Sequence, residues 1–305
     1  MKFVFIINPI AGKGQFQKEL PKIIQGFCTN EKISWEIYIT KSIHDALIFV
    51  KNYPKNQTVR FYAVGGDGTL NEVINGAMNH GNCEVGFFPC GSGNDFARIF
   101  QNPEYFLDLK RQLNATTHQI DLIKANHSYA INMCNMGLDA QTAADVHRFT
   151  KFRPGTMAYS VSLLNRLVHK MGFDATVTLD DEEVIKGTFI LATFANGIAY
   201  GGGYYSAPKA EYDDGLMDVC LIQPVSRLII AKLLNAYKNG QHLSDERFKK
   251  YMLYRRCKKV VVETTKPQML CIDGEFITSA QNTMEIIPKA IPLLLPQGAT
   301  IAKIT

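Results

Sequence analysis

The sequence predicts an α/β domain with a parallel sheet and helices on both faces, followed by a mainly antiparallel β-sandwich domain. Over roughly the first 115 residues, strand and helix patterns alternate, which is typical of a parallel sheet. Beyond about residue 118, short strands follow one another closely, as in an antiparallel sandwich. The length of 305 residues also exceeds one ordinary domain. We place the domains at 1–118 and 119–290, and we expect 291–305 to return to the first domain.

In the first domain, four apolar or alternating runs indicate the strands of one sheet. The continuous apolar run Phe3–Ile7 suits a strand that is buried on both faces. The other predicted strands are Trp35–Ile39, Thr58–Val64 and Val85–Phe88. The predicted helices are Phe16–Phe27, Asp45–Val50 and Leu70–Met78. Ligands of open α/β sheets bind at the carboxyl ends of the strands, so the turns that follow these strands are the first place to look for a site.

The second domain is predicted from short strands that are separated by turn signals. These strands are Ile120–Ala125, Tyr129–Met133, Phe173–Leu179, Val184–Ala195, Val219–Ile222, Val260–Thr264, Met269–Ile272 and Thr283–Ile287. The polar segments Asn126–Ser128 and Asp180–Glu183 suit hairpin turns. Two helices are expected within this domain, at about Thr156–Lys170 and Arg227–Asn239.

Composition and charge narrow the class of protein. The formal charge of +5 suits an anionic partner such as a nucleotide or a lipid headgroup, although a surplus that serves solubility explains it equally well. Seven widely spaced cysteines without a C-x-x-C pair argue against a zinc site or a disulfide framework and indicate a cytoplasmic protein. No apolar run is long enough for a signal peptide or a membrane span, so contact with a membrane would be peripheral.

The strongest motif is Gly65–Glu72, which reads GGDGTLNE, follows a strand and opens a helix. Glycines let the backbone approach a phosphate closely, and a helix N-terminus offers unpaired N–H groups with a partial positive charge. Asp67 would repel phosphate unless a divalent cation lay between them, so we predict that it faces magnesium, directly or through water. A Gly-rich turn with an aspartate N-cap is the structural alternative.

Two further Gly-rich turns at the same sheet edge favour a phosphate site. Asn8–Gly14, NPIAGKG, follows the first strand but is neither a Walker A loop nor a G-x-G-x-x-G motif. Gly91–Arg98, GSGNDFAR, follows the fourth strand and again opens a predicted helix, although Asp95 also suits a plain N-cap. Three such turns at one edge are harder to explain as ordinary turns than any one of them.

Near the C-terminus, Asp273-Gly274-Glu275 places two carboxylates around a glycine in an apolar strand context. A surface hairpin turn is one explanation. In the other, one carboxylate takes the proton of an attacking hydroxyl and the second holds the arrangement in place. Phosphoryl transfer depends mostly on positioning and charge neutralisation, which suits glycine turns, Mg²⁺ and a carboxylate base.

Together and in this order, the four motifs resemble the diacylglycerol kinase catalytic-domain family, which includes soluble bacterial lipid kinases and the sphingosine and ceramide kinases. The resemblance covers essentially the whole chain and implies the two-domain fold of the NAD kinase and diacylglycerol kinase type. It implies a lipid kinase of phospholipid metabolism that transfers the γ-phosphate of ATP to the hydroxyl of a lipid such as diacylglycerol, with Mg²⁺ as cofactor.

By position, the resemblance also implies roles for individual residues. Asp273 is the expected general base with Glu275 beside it, and Asp67 is expected to hold the catalytic Mg²⁺ through water. The expected ATP contacts are Asn8, Pro9, Ile10, Ala11, Gly12, Thr40, Gly65, Gly66, Asp67, Gly68, Thr69, Leu70, Asn71, Glu72 and Ser92, the last of which stands where the family usually has threonine. The expected charged network around the site consists of Lys13, Asp95, Arg98, Asp121 and Glu275.

A second magnesium is also implied by the resemblance. The segment Glu211–Leu216 is similar to a structural magnesium loop of the bacterial enzymes. The carboxylate of Asp214 and the carbonyls of Glu211 and Leu216 would be its ligands. Without the family, Asp-Asp-Gly is an ordinary turn sequence.

The sequence marks the binding site of the lipid substrate less clearly. The family binds its lipid between the domains, and Ile198–Tyr205 suits either an apolar wall or a packed turn. Arg247–Lys259 carries seven positive charges, which suit peripheral contact with an anionic membrane at its inner face or a solvated surface. No nucleic-acid recognition module accompanies this charge, so nucleic acid is not an expected partner. A homodimer is common among the bacterial relatives.

Two alternatives stay open at this level. NAD kinase shares a Gly-Gly-Asp-Gly loop and a two-domain plan, although Gly93–Phe96 and Asp273–Glu275 argue against it. A relative that binds nucleotide or lipid without turnover is disfavoured, because all of the expected carboxylates are present.

Overall fold

The computed structural model describes residues 1–12, 15–150, 156–166 and 171–301, which fall into two units. The first unit comprises Met1–Ile120 with the C-terminal segment from Lys289, and the second comprises Asp121–Pro288. The sequence predicts the boundary after residue 118 and the return at about residue 291. Both crossings lie inside β-strands, Thr116–Ala125 and Glu275–Leu295, which explains why no linker composition marks them.

The first unit is built on a parallel sheet. Its strands are β1 (Lys2–Ile7), β2 (Ser34–Ile39), β3 (Val59–Gly65) and β4 (Cys83–Pro89). They pair in parallel in the order β2-β1-β3-β4, and Leu293 near the end of the strand Glu275–Leu295 pairs in parallel with Val85 of β4. The helices are α1 (Gln15–Asn30), α2 (Asp45–Lys51), α3 (Asp67–Ala77) and α4 (Leu109–Leu113). The predicted α/β domain is thereby confirmed.

A buried cluster of aromatic and aliphatic side chains fixes this sheet. Phe5 and Tyr62 of neighbouring strands stack with ring centroids 4.9 Å apart, and Phe88 packs beside both. Leu20 and Ile24 of α1 belong to the same cluster. Burial of each large apolar side chain contributes roughly 1.5–3 kcal/mol, so this cluster holds the strand ends in place.

The segment after β4 differs from the prediction. A helix was expected from the turn Gly91–Arg98 onwards, but the structure has only the short 3₁₀ helix Phe96–Ile99. Phe96 is buried against Phe87, with ring centroids 5.7 Å apart. Packing of this side chain, and not helical periodicity, therefore fixes the segment. A second 3₁₀ helix, Pro103–Leu107, precedes α4.

The second unit is mainly antiparallel. Its strands are β5 (Thr116–Ala125), β6 (Ser128–Ala130), β7 (Met133–Gly137), β8 (Phe173–Leu179), β9 (Glu183–Phe189), β10 (Leu191–Ala195), β11 (Met217–Ile222), β12 (Met252–Cys257), β13 (Lys259–Ile272) and β14 (Glu275–Leu295). The antiparallel path runs β12-β11-β10-β7-β13-β14, while β8 pairs with β13 and β9. The predicted sandwich domain is confirmed.

Several predicted strand lengths are wrong. β13 merges the two predicted strands Val260–Thr264 and Met269–Ile272, because a register shift between Glu263 and Gln268 interrupts the alternation but not the strand. β14 extends over 21 residues, where a short strand was expected. The predicted strand Val184–Ala195 is instead divided into β9 and β10.

In the described part of the chain, three α-helices belong to the second unit. They are α5 (Leu138–Thr150), α6 (Thr156–Arg166) and α7 (Arg227–Lys238). No prediction was made for α5, because its small and polar residues give a faint apolar stripe. The helix predicted for Thr156–Lys170 is described as far as Arg166.

Two buried clusters stabilise the second unit. Met136, Phe194, Val219 and Val262 belong to the sandwich core. A second cluster connects the sheet to the helices. All seven cysteines are free thiols. No described helix is long and apolar enough to cross a membrane.

Candidate active site

Three turns lie at the carboxyl ends of neighbouring parallel strands in the first unit. They follow β1, β3 and β4, whose adjacent positions bring the turns to one edge of the sheet. The side-chain amide of Asn8 donates to Thr69 Oγ1 at 3.2 Å. This hydrogen bond joins the first turn to the start of α3.

Glycines allow the turns to meet. A β-carbon on Gly91 would lie 2.4 Å from the α-carbon of Gly66. Gly12 has a positive φ of 57°, and a β-carbon there would lie 2.4 Å from the Cys90 carbonyl oxygen. Because backbone atoms cannot relieve such contacts without moving the turns, these positions require glycine. The three turns therefore form one continuous site.

Asn94 holds the third turn in shape. Its Oδ1 accepts the Gly91 N–H at 2.9 Å, and its Nδ2 donates to the Pro89 carbonyl at 2.9 Å. Its φ of 51° is a left-handed conformation that asparagine tolerates better than most residues. No role was predicted for Asn94, although asparagine after two glycines is a recognisable turn signal.

Two carboxylates converge beside Gly93 in the third turn. A β-carbon on Gly93 would lie 3.0 Å from Asp67 Oδ2 and 3.5 Å from Asp95 Oδ2. Asp67 Oδ1 also accepts the Phe96 N–H at 3.2 Å, and Asp95 forms an ion pair with Arg98 at 3.2 Å. Neighbouring carboxylate oxygens suit Mg²⁺, which prefers oxygen ligands and keeps several waters. The residues present therefore fit the predicted catalytic magnesium.

Among the described residues, no group of three or more His, Cys, Asp or Glu side chains could hold a metal by itself. Asp67 would therefore hold magnesium together with water or nucleotide oxygens, which are the ligands that this ion prefers. Such a site depends on the nucleotide, which is the usual arrangement in phosphoryl transfer.

Several predicted ATP contacts lie behind the second turn. Leu70 and Asn71 are buried within α3. The Glu72 carboxylate accepts N–H groups from His44 at 3.0 Å and Ala46 at 3.1 Å, so it binds the start of α2. In this structure these side chains support the turn, and their predicted contact with ATP stays a prediction.

Other predicted contacts lie on the open side of the sheet edge. Ile10 and Ser92 are exposed, and the Thr40 N–H donates to the Ile7 carbonyl at 2.9 Å, directly after β2. These positions are accessible to a nucleotide. Lys13, predicted as part of the charged network, lies outside the described residues.

In the second unit, Asp273 occupies the turn between β13 and β14. Its carboxylate accepts backbone N–H groups from Ile131 at 2.6 Å, Asn132 at 3.2 Å and Met133 at 2.8 Å. Three such donors fix the orientation of the carboxylate. An oriented carboxylate can accept the proton of a substrate hydroxyl.

The two remaining members of the predicted network lie in different surroundings. Glu275 begins β14 and is exposed. Asp121 is fully buried, and its Oδ2 accepts the Gly215 N–H at 2.6 Å. Asp121 therefore braces the segment Glu211–Leu216.

The carboxylate of Asp214 in this segment is engaged by a cation of the protein. Its Oδ1 accepts the Leu216 N–H at 2.9 Å, and its Oδ2 forms an ion pair with Arg256. Arg256 Nε also lies 3.4 Å from Oδ2 of Asp218, whose pKa burial raises to about 6. Magnesium would have to compete with Arg256 for Asp214. Ligation of a structural magnesium by Glu211, Asp214 and Leu216 therefore stays a prediction.

The basic segment Arg247–Lys259 is largely neutralised by acidic side chains. Five of its cations form ion pairs, namely Arg247 with Asp245, Lys249 with Glu246, Arg255 with Glu183, Arg256 with Asp214 and Lys259 with Asp181. Lys250 lies over the ring of Tyr251, 4.8 Å from its centroid. Pairing lowers the attraction that this segment can exert on an anionic membrane, and that contact stays a prediction.

An apolar cavity of about 630 Å³, counting its open mouth, lies in the second unit. Its walls come from α6, α7, the strands β10 and β11 and neighbouring segments. They comprise Leu138, Asp139, Leu163, Ile190, Leu191, Tyr200, Tyr204, Ile222, Val225, Ile229, Ile230, Leu233, Leu234, Tyr237, Phe248 and Tyr251. Tyr200 and Tyr204 belong to the segment Ile198–Tyr205, whose sequence suits an apolar wall or a packed turn. The contribution of α7 was not predicted, although its repeated Ile and Leu residues are a visible signal.

Asn132 and Met133 bind Asp273 and also contact residues at or next to the cavity wall. Asn132, whose N–H donates to Asp273, also donates from its side chain to the Ala199 carbonyl at 2.6 Å. Ala199 immediately precedes the cavity residue Tyr200. Met133, another donor to Asp273, packs in the same buried cluster as Tyr200. The carboxylate and the cavity wall are therefore held by the same short segment.

A buried histidine supports the far wall of the cavity. The ring of His242 packs against Tyr237, with centroids 4.7 Å apart, and its Nε2 lies 3.0 Å from the Ser206 carbonyl oxygen. Burial lowers the pKa of His242 to about 4. The ring is therefore neutral at physiological pH.

Comparison with known proteins agrees with both halves of this description. Residues 2–125 match the model of the "Diacylglycerol kinase catalytic domain", and residues 132–295 match the "YegS C-terminal NAD kinase beta sandwich-like domain". A protein of Shewanella frigidimarina named "Probable lipid kinase YegS-like" is 28% identical over 282 residues, which cover 89% of this chain and 86% of that protein.

Solved structures share the fold. A crystal structure described as a diacylglycerol kinase from Bacillus anthracis has a TM-score of 0.72 at 19% identity and covers 98% of both chains. Yeast NADH kinase has a TM-score of 0.50 at 12% identity and covers 96% of this chain and 82% of its own. The two-domain fold of this chain is that of these structures. More specifically, this chain belongs to the diacylglycerol kinase catalytic-domain family, and its second unit is the β-sandwich domain of that family.

Proposed function

We propose that this protein is a lipid kinase that transfers the γ-phosphate of ATP to a lipid hydroxyl at a membrane surface, with Asp273 as the general base. One observation carries the proposal. The Asp273 carboxylate and the apolar cavity are held by the same segment of the second unit. An acceptor with a reactive hydroxyl next to a long apolar part fits this combination.

In this proposal, the Gly-rich turns of the first unit bind the nucleotide. Backbone N–H groups of these turns and of the α3 N-terminus would bind the phosphates of ATP. Asp67, with Asp95 beside it, would hold Mg²⁺, which neutralises charge on the phosphate oxygens when it is bound. The close approach of Gly66 and Gly91 leaves no side chain that would keep the phosphates away.

On the acceptor side, the hydroxyl oxygen attacks the γ-phosphorus while the bond to the oxygen between the β- and γ-phosphorus atoms breaks. The hydroxyl proton passes to the Asp273 carboxylate, and ADP leaves. The three N–H donors orient this carboxylate before the reaction, so little reorganisation is needed.

A transfer assay tests the proposal. Purified protein is incubated with labelled ATP and Mg²⁺, in separate reactions with lipid alcohols in mixed micelles and with NAD. We expect label in the lipid fraction and none in NAD. Product from NAD alone would overturn the proposal and favour an NAD kinase. Relatives named as lipid kinases support the choice of acceptor.

A further inference from the structure

We propose that Asn132 and Asn196 are positioning residues for Asp273, because their side chains hold in place the backbone segment that binds its carboxylate. That segment is Ile131–Met133. The proposal rests on the proposed function, in which Asp273 is the general base, and it identifies the part of the second unit that orients this base. No role was predicted for either asparagine from the sequence.

Three consecutive N–H groups point at the Asp273 carboxylate. Those of Ile131 and Asn132 lie 2.6 Å and 3.3 Å from Oδ2, and that of Met133 lies 2.8 Å from Oδ1. The Met133 carbonyl in turn accepts the Asp273 N–H at 3.1 Å. Asp273 and Gly274 have φ values of 46° and 97°, as in a two-residue hairpin turn. The turn places the carboxylate, and the three N–H groups set its direction.

The carbonyl groups of the same segment are held from the opposite side. The Ile131 carbonyl accepts Asn196 Nδ2 at 2.8 Å. The Asn132 carbonyl accepts the N–H groups of Asn196 at 2.9 Å and Gly197 at 2.7 Å. Because a trans peptide is planar, its C=O and N–H groups point in opposite directions. Fixing these two carbonyls therefore fixes the two N–H groups that follow them, which face Asp273.

The side chain of Asn132 completes the arrangement. Its Nδ2 donates to the Ala199 carbonyl at 2.6 Å, which ties the segment to the chain just beyond Asn196. Glycine at position 197 leaves room for this side chain, since a β-carbon there would lie 1.9 Å from Asn132 Oδ1. Asn196 Nδ2 also donates to the Asp121 carbonyl at 2.9 Å. Both asparagines are buried, so the loss of either amide leaves buried carbonyls without that partner.

Serine variants at both positions test the proposal. Asn132→Ser and Asn196→Ser remove the side-chain amides and keep small polar side chains. We expect kcat for lipid phosphorylation to fall about 10–100-fold in each, the effect of a misplacement of about 1 Å. The KM for ATP should stay within about twofold of its original value, because the nucleotide is bound by other residues. Unchanged kcat in both variants would overturn the proposal.

A matched control separates positioning from a loss of stability. Asn282 is fully buried in the same unit and accepts a hydrogen bond from the Asn126 side chain at 3.0 Å. Asn282→Ser therefore also removes a buried amide, but it should keep the original kcat. Should Asn196→Ser fail to fold, Gly197→Ala replaces it, because the added β-carbon would displace the Asn132 side chain.

A double-mutant cycle tests whether Asn132 acts through Asp273. The kcat of Asp273→Asn is compared with that of the double variant Asp273→Asn with Asn132→Ser. Once the carboxylate is gone, we expect the second change to cost less than about twofold. A further loss of about tenfold or more would overturn the proposal, since Asn132 would then affect turnover by another route.

A measurement without ATP separates this proposal from the proposed function. In isotope-labelled protein, the amide resonances of Ile131 and Met133 report on their hydrogen bonds to the carboxylate. We expect Asn196→Ser to shift both in the direction in which Asp273→Asn shifts them, and Asn282→Ser to leave both in place. This result supports the positioning role even where no phosphate is transferred, and in that case only the proposed function fails. Loss of turnover in Asp273→Asn, with unchanged resonances and kcat in Asn196→Ser, overturns the positioning role and leaves the kinase intact.

Discussion

The backbones of Gly66 and Gly91 are in contact, so that a β-carbon on Gly91 would lie 2.4 Å from the α-carbon of Gly66. Gly66 ends the turn after β3, and Gly91 begins the turn after β4. Two of the three motifs that indicate a nucleotide site therefore depend on each other for their shape. The contact explains why the turn after β4 needs glycine at position 91.

Replacing Gly91 with alanine should separate the two turns. We expect Gly91→Ala to lower the free energy of unfolding by about 1–3 kcal/mol, as overpacking does, and to weaken ATP binding. Urea denaturation and titration calorimetry measure the two effects. Gly26→Ala is the control, because Gly26 is exposed on α1 with nothing within 4 Å of its added β-carbon and should gain about 0.5–1 kcal/mol. Unchanged ATP affinity in Gly91→Ala would contradict a role for this contact in the nucleotide site.

Removing the charge of Asp67 should raise the requirement for magnesium. Its carboxylate lies beside that of Asp95, so Asp67→Asn leaves a weaker site for Mg²⁺. We expect the Mg²⁺ concentration for half-maximal rate to rise roughly 10–100-fold, as for groups that bind a metal through water. Initial rates against Mg²⁺ concentration measure this. Asp108→Asn removes a carboxylate that caps α4 and should leave the requirement unchanged; the same requirement in both variants would exclude Asp67 from the magnesium site.

The carboxylate of Asp273 should be needed for turnover and not for nucleotide binding. We expect Asp273→Asn to lower kcat by about 10²–10⁴-fold, the usual contribution of a general base, while ATP still binds. Its amide would face backbone N–H donors, so a stability loss of about 1–3 kcal/mol is also expected and must be checked by thermal unfolding. Glu263→Gln, an exposed position on the same strand, controls for charge. Full activity in Asp273→Asn would rule out this residue as the base.

Arg256 should stabilise the segment Glu211–Leu216, because its cation neutralises the carboxylate of Asp214. Arg256→Gln removes the cation next to Asp214 and the buried Asp218, so we expect a loss of about 1–3 kcal/mol in the free energy of unfolding. Millimolar Mg²⁺ should then raise the Tm of the variant more than that of the original protein. An equal rise in both proteins would show that Mg²⁺ binds with Arg256 in place, as the resemblance to bacterial enzymes implies.

The buried His242 should make stability depend on pH in the acidic range. Burial lowers its pKa from 6.5 to about 4, so between these values the unfolded chain binds a proton that the folded protein does not. The contribution is complete above pH 6.5 and is lost as the pH falls towards 4, by about 3 kcal/mol. His242→Gln should remove this part of the slope, because its amide can still donate to the Ser206 carbonyl without titrating. Urea denaturation from pH 7 to pH 4 measures it, and identical slopes would contradict the assignment.

Local patterns in the sequence account for much of the fold. The run Phe3–Ile7 and the GGDGTLNE turn were recognisable because burial on both faces of a strand and the conformational needs of glycine are expressed within a few consecutive residues. The Asp273-Gly274 turn was visible for the same reason. The lengths of β13 and β14 were not recognisable, because a register shift in the pairing of these two strands interrupts the alternation by which a strand is recognised.

The identity of the family and the order of its motifs were determined by the sequence alone, because each motif is local. Only the tertiary structure decided that Glu72 binds the start of α2, that Asp214 pairs with Arg256, and that Leu191 and Leu234 enclose the same cavity. The partners in these contacts are far apart along the chain. The packing of distant segments determines which charged side chains form pairs and how large a cavity the apolar side chains leave. Local periodicity in the sequence does not predict this packing.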